Sequence, residues 1–310
     1  MTHRKVPQVG ECVEVCSLDE IRATLDGDGE LEQLPFMPEM VRHCGQRARV
    51  AAVMTKICGG GKGMRGVLGE PLVLLDELRC GGESHGQCSR ACTLLWKPAW
   101  FRPVDPLGPG LVGRRGEGSV GWPYRTQAEN GAYLCQATAL PRATVPVSTP
   151  GKVLSALEDV RQGEWTLGSL ATVYLQTLSY RLGSLVRRAS GMVGKKRSTP
   201  VEKLALRPGE WVQVKSLNEI SATLDRNNRN RGLEFSRYMI PFCGGTYRVS
   251  ARMENFIDER TGEVRRLENT VLLEGVSCGG ETTSGPCRRA EYLYWREIWL
   301  RRIEASPAES

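Results

Sequence analysis

Residues 80–100 read CGGESHGQCSRACTLLWKPAW, and a related stretch returns at 278–299 as CGGETTSGPCRRAEYLYWREIW. The first of these holds Cys80, Cys88 and Cys92 within thirteen residues, with His85 among them and tryptophans just after. Sulfur and imidazole ligands at such short spacing are the chemistry of a metal site, and the aromatic run that follows reads as a strand packing the site against a core.

Working outward, the two stretches prove to be the ends of two longer copies. Gly10-Glu11-Cys12-Val13-Glu14-Val15 alternates like a half-buried strand, and Ser17-Leu18-Asp19-Glu20 has the form of a capping box opening a short helix through Leu25. Gly209 to Val214 and Ser216-Leu217-Asn218-Glu219 repeat this pattern 199 residues later, with about 20 of 50 positions identical between Val9 and Cys58 and their counterparts. The second copy continues from Arg252 to Ile257, turns at Asp258 to Gly262 and returns through Val264 to Val276, which reads as a hairpin. The first copy has Gly59 to Gly63 at that turn. A glycine run beside Lys62 resembles a phosphate loop, but no Ser or Thr follows the lysine and the other copy has an ordinary turn there.

The internal alignment sorts the eleven cysteines. Cys44, Cys80 and Cys88 match Cys243, Cys278 and Cys287; Cys58 and Cys92 belong to the first copy alone, where the second has Ile257 and Glu291. Cys44, Cys58 and the Cys80 loop are expected to meet at one end of a small barrel, where four thiolates can surround a tetrahedral zinc ion or hold an iron–sulfur cluster. His85 reads as a ligand, as a donor that orients a thiolate, or as a polar loop residue. The expected metal-binding residues are therefore Cys44, Cys58, Cys80, His85, Cys88 and Cys92, and in the second copy Cys243, Cys278 and Cys287, whose three thiolates alone would leave a coordination position open. Cys12 and Cys16 face Trp211 and Lys215 in the alignment and are not expected to be ligands; Cys135 has no counterpart and reads as an extra ligand or a reactive thiol.

Many short strands, Gly-rich turns and one short helix per copy point to a mainly β fold with some α: two tandem SH3-like small barrels joined by a linker and a helical segment. The expected domains are 1–103 and 206–310, the two cysteine-rich barrels, with 104–205 between them. Within that middle region Pro103 to Gly121 is rich in proline and glycine, and Tyr133 to Thr138 alternates like a further strand. From Trp165 to Arg188, Leu167, Leu170, Tyr174, Leu178, Leu182 and Leu185 fall on one helical stripe, followed by basic residues to Arg197. A helix packed across the barrels explains it, as does one lying on an anionic membrane surface through 165–197.

With 42 basic and 35 acidic residues among 310, the net charge of +7 permits nucleic-acid contact without requiring it. No run is long and apolar enough for a membrane span or a secretory signal, so the cysteines point to a reducing, cytoplasmic setting. No nucleophile elbow, Walker sequence, dinucleotide fingerprint or paired-histidine zinc motif is present.

Met37-Pro38-Glu39-Met40 before Cys44-Gly45, the Cys80 and Cys88 loop, Tyr133 to Thr138 and the closing Tyr294-Trp295-Arg296-Glu297-Ile298-Trp299 together resemble an uncharacterised bacterial family of duplicated cysteine-rich proteins, over nearly the whole chain. The last strand also resembles that of the SH3-like barrel in nitrile hydratase beta subunits. The first resemblance implies a role near surface-polysaccharide or other envelope-related synthesis and no catalytic mechanism; Arg288, where the family commonly has proline, and the Gly59 to Gly63 turn depart from its pattern. The expected function is a metal-binding accessory protein with a protein partner. The alternatives are an iron–sulfur or open-site metalloenzyme or redox protein, and a nucleic-acid-binding protein.

Overall fold

The computed structural model describes residues 5–58, 64–76, 78–104, 122–147, 168, 171, 175, 196–278, 281–282, 285–286 and 288–303. The chain is mainly β with few helices. It divides into two compact units: Met1–Lys152 with Asn255–Arg265 and Pro286–Arg289, and Val153–Glu254 with Arg266–Gly285 and Ala290–Ser310.

In the first unit the main sheet is antiparallel, built from β1 (Cys12–Val15), β2 (Arg47–Met54), β3 (Leu72–Leu75) and β4 (Phe101–Pro103) in the order β3-β2-β1-β4. Alternation in β1 buries Val13 and Val15, whereas every residue of β3 is buried. The core closes on Trp96, Trp100 and Phe36, the Phe36 ring standing edge-on to Trp100 at 5.1 Å. Trp100 Nε1 donates to Thr24 Oγ1 at 3.1 Å, which satisfies the indole and pins the turn after α1 (Leu18–Arg22). The helix is shorter than the sequence pattern predicts: it ends at Arg22, and Thr24 and Leu25 close it with turn hydrogen bonds to Ile21 and Arg22. Its capping box is formed, Glu20 accepting from Ser17 N at 3.0 Å while Ser17 Oγ accepts from Glu20 N at 3.4 Å.

Tyr133 to Thr138 does not continue as a strand. Cys135 is the N-cap of α2 (Gln136–Ala143), which buries Ala137, Ala139, Leu140 and Ala143 at helical spacing. Tertiary pairing overrides the local alternation: the buried Gln136 amide accepts from Leu95 N at 2.9 Å and donates to Leu95 O at 2.7 Å and Pro35 O at 3.1 Å. The strand pair Asn255–Ile257 and Val264–Arg266 forms the expected hairpin, and residues 255–265 of it count with the first unit. Ser89 N and Oγ both donate to Asn255 O at 2.9 Å, Arg90 and Arg289 both bind Glu259 at 2.7 and 3.1 Å, and Tyr133 N donates to Gly262 O at 2.8 Å.

The second unit holds β5 (Trp211–Val214), β6 (Thr246–Arg252), β7 (Thr270–Leu273), β8 (Trp295–Arg296) and β9 (Leu300–Arg302) in the order β8-β7-β6-β5-β9. Its details follow the first at the 199-residue offset. The N-cap of α3 (Leu217–Ser221) is Ser216, boxed by Glu219, and Trp299 Nε1 donates to Thr223 Oγ1 at 3.1 Å. A register shift at Val50/Ala52 in β2 recurs at Val249/Ala251 in β6. Among the described residues neither sheet closes into a barrel. The glycine turn 59–63, most of the linker 103–121 and most of the stripe 165–188 lie outside the described residues; within the stripe, Gly168, Ala171 and Leu175 are helical and exposed. No helix among the described residues is long and apolar enough to cross a membrane.

Candidate metal centre

The loop from Cys80 to Cys92 is tied at its neck by Cys80 N donating to Cys92 O at 2.8 Å. Inside it, Cys88 N and His85 N both donate to Gly82 O at 3.2 Å. Gly82 has φ +75°, and a Cβ there would stand 2.0 Å from Cys88 O, so only glycine permits a loop this tight. Such a fold of the backbone turns His85 inward, 3% exposed, toward the 3-10 helix Pro38–His43.

That helix carries Glu39, which is 6% exposed. Its carboxylate accepts from Ser84 N and Ser84 Oγ at 2.8 Å, and His85 Nδ1 lies 3.1 Å from Glu39 Oε1. On the opposite edge of the ring, His85 Nε2 lies 3.5 Å from Cys80 Sγ. Glu39, Cys80 and His85 thus bring oxygen, sulfur and nitrogen within 4.8 Å of one another, a group that can hold a metal ion. Burial by itself raises the Glu39 carboxyl, but the hydrogen bonds and charge of His85 and the donors of Ser84 outweigh it and hold the group at about 2. The Cys80 thiol moves the other way: burial pushes it well up, and the charges of Glu39, Cys92 and Cys135 add to the shift.

Beside this group is a cavity of about 20 Å³, lined among others by Cys80, His85, Cys88, Cys92 and Cys135. A space of that size suits a single water molecule or ion. Met37 and Ile257 supply apolar wall, the latter from the hairpin.

The structure therefore gathers Cys80, His85, Cys88 and Cys92 from the expected set and does not place Cys44 or Cys58 on the cavity. Cys44 follows the 3-10 helix close to Cys16, and burial, then the Cys16 charge, raises its thiol to about 12. Cys58 sits in the strand Lys56–Cys58, opposite Met64. In the second unit Cys243 Sγ lies 3.9 Å from Met239 O and burial raises its thiol, while Cys278 N donates to Glu291 O at 2.8 Å. Cys287 lies outside the described residues. Tyr238 and Glu291 stand where the first copy has Glu39 and Cys92, and no second group of three candidate ligands occurs among the described residues.

Cys135, which reads from the sequence as an extra ligand or a reactive thiol, lines the cavity, and Glu39 joins the group without having been expected there. Cys135 enters the cavity from the N-cap of α2, and its lack of a counterpart in the second copy was the available signal. Glu39 gave the same signal, a residue confined to the first copy like His85, but a lone glutamate does not announce that it will be buried.

No family model, curated protein or solved structure matches the chain.

Proposed function

We propose that the first unit is a metal-binding module in which His85 and the thiolates around the cavity hold one zinc ion, and that the chain acts as a non-catalytic accessory protein in a biosynthetic assembly. The observation that carries this reading is the line Glu39–His85–Cys80 at a cavity lined by sulfur. A carboxylate on Nδ1 fixes the imidazole tautomer with its Nε2 lone pair directed away, toward Cys80, which is how metal-ligating histidines are commonly held. Soft sulfur with one imidazole selects zinc among common divalent ions, and four ligands would close the site to substrate, giving it a structural role. The ion would cross-link the Cys80 loop to α2 through Cys135, with Glu39 holding the His85 ring from the 3-10 helix.

An SH3-like reading of the second unit is supported by the meander β5-β6-β7-β8, the return of β9 to β5 and the 3-10 turn Glu297–Trp299 before that last strand. Peptide or subunit docking on such units fits an accessory role.

Metal and acid-labile sulfide content on protein purified without oxygen tests the centre. About one zinc per chain, lost in Cys80→Ser and at least tenfold weaker in Glu39→Gln, is the expected result. Iron with sulfide would replace zinc by a cluster, and no metal in the wild-type chain would overturn the proposal. The same three groups, read without metal, form a carboxylate–imidazole–thiol relay. The raised Cys80 thiol weighs against it, since the thiolate is the nucleophile. Rapid alkylation of Cys80 in the purified chain would favour the relay.

A further inference from the structure

The two units differ in charge at one equivalent buried point. In the first, Lys97 is 1% exposed; its Nζ lies 2.5 Å from Glu32 Oε2 and donates to the carbonyls of Leu68 and Glu70 at 3.2 and 2.8 Å. Its buried charge has a carboxylate partner, as buried charges require. In the second unit Arg296 stands at the place of Lys97 and Arg231 at the place of Glu32. Arg296 is 5% exposed and again donates to an equivalent carbonyl, that of Glu268 at 2.5 Å, and also to Asn230 O and Arg231 O. The carboxylate has become a second cation.

Around this inverted pair opens a cleft of about 500 Å³, lined by Arg197, Arg231, Arg266 and Arg296 with Ser198, Thr199 and Glu268. Among the described residues none of the four arginines is within ion-pair distance of a carboxylate. Glu268 is the acidic group Arg296 feels, and Glu202, which lines an adjoining small cavity, is bound to Lys215 at 2.9 Å. Four guanidinium groups against one unpaired carboxylate in a cleft sized for a small molecule call for a compact, multiply charged anion.

We propose that this cleft in the second unit binds the phosphoryl group of a small phosphorylated ligand, with Arg197, Arg231 and Arg266 donating to its oxygens and Arg296 supplying charge from beneath. The donors of Arg296 are largely spent on carbonyls, so its part is electrostatic. Ser198 adds a hydroxyl at the rim. The site is independent of the metal centre and of its fate.

Calorimetric titration of the full chain with inorganic phosphate, against chloride at matched ionic strength, tests this. Arg231→Glu restores the residue of the first copy, and Glu32 and Arg231 share a left-handed backbone, φ 53° and 46°, so the variant is expected to fold. It should bind phosphate at least about tenfold more weakly, the scale of a lost charge-assisted contact turned repulsive. In phosphate-free buffer it should melt about 2–4 °C above the wild type, because the buried cation then has an internal partner. Arg266→Gln, an exposed change, should weaken phosphate several-fold without moving the melting point. Phosphate binding no better than chloride, undiminished binding in both variants, or binding of duplex DNA without phosphate itself would each overturn the proposal.

Discussion

Glu32 and Lys97 show what a single buried charge asks of its surroundings. Lys97 is almost wholly enclosed and Glu32 only partly so, so removing the carboxylate leaves an ammonium with two carbonyls and no counter-charge. Glu32→Gln is therefore expected to destabilise the first unit by about 3 kcal/mol, toward the lower end for a broken buried pair because Glu32 still reaches solvent. Urea unfolding followed by tryptophan fluorescence, with Trp295 and Trp299 of the second unit replaced by Phe so that Trp96 and Trp100 dominate the buried signal, measures it; a loss below about 1 kcal/mol would show that the pair is solvent-screened. The sequence displayed these residues without their burial, and burial is what gives them meaning. The same holds for Glu39, an unremarked glutamate in MPEM until the 3-10 helix and the Cys80 loop close around it.

At the level of elements, features encoded within a few residues were legible and features set by distant partners were not. The capping box of α1 needs only Ser17 and Glu20 and forms as read. Its carboxyl is held at about 2, below the ordinary 4.5, chiefly by the Ser17 hydrogen bond, with Arg102 assisting. Because the folded value is depressed, its contribution to stability is full above about pH 4.5 and is lost as pH falls toward 2. An NMR titration should find the Glu20 carboxyl near 2 in the wild type and closer to 4.5 in Ser17→Ala; no movement would assign the shift to Arg102 instead. By contrast α2 was hidden. Its first residues alternate like a strand and Pro141 lies inside it, yet the Gln136 amide clasping the Leu95 backbone selects the helix and carries Cys135 to the cavity. The cysteine clustering itself was half legible: the Cys80 loop is local, whereas Cys44 and Cys58 were assigned to it by barrel geometry that the open sheet does not provide.

For the whole molecule, the compact units do not follow the two sequence copies. Residues 255–265 and 286–289 of the second copy complete the first unit, with Ile257 walling the cavity and Glu259 bridging Arg90 and Arg289. A fragment ending at residue 205 removes these partners, and it is expected to retain less than half the metal of the full chain and to unfold over a broader urea range. Full metal content and an equally sharp transition in the fragment would show that the hairpin is dispensable.

The same interleaving orders events during synthesis. Domains generally fold as units as the chain emerges from the ribosome, the N-terminal one first. Here the leading unit waits for a segment made near the end, so the cavity beside His85 lacks its Ile257 wall while more than a hundred further residues are added. Through that interval Arg90 also waits for Glu259, the carboxylate that the same hairpin brings to it.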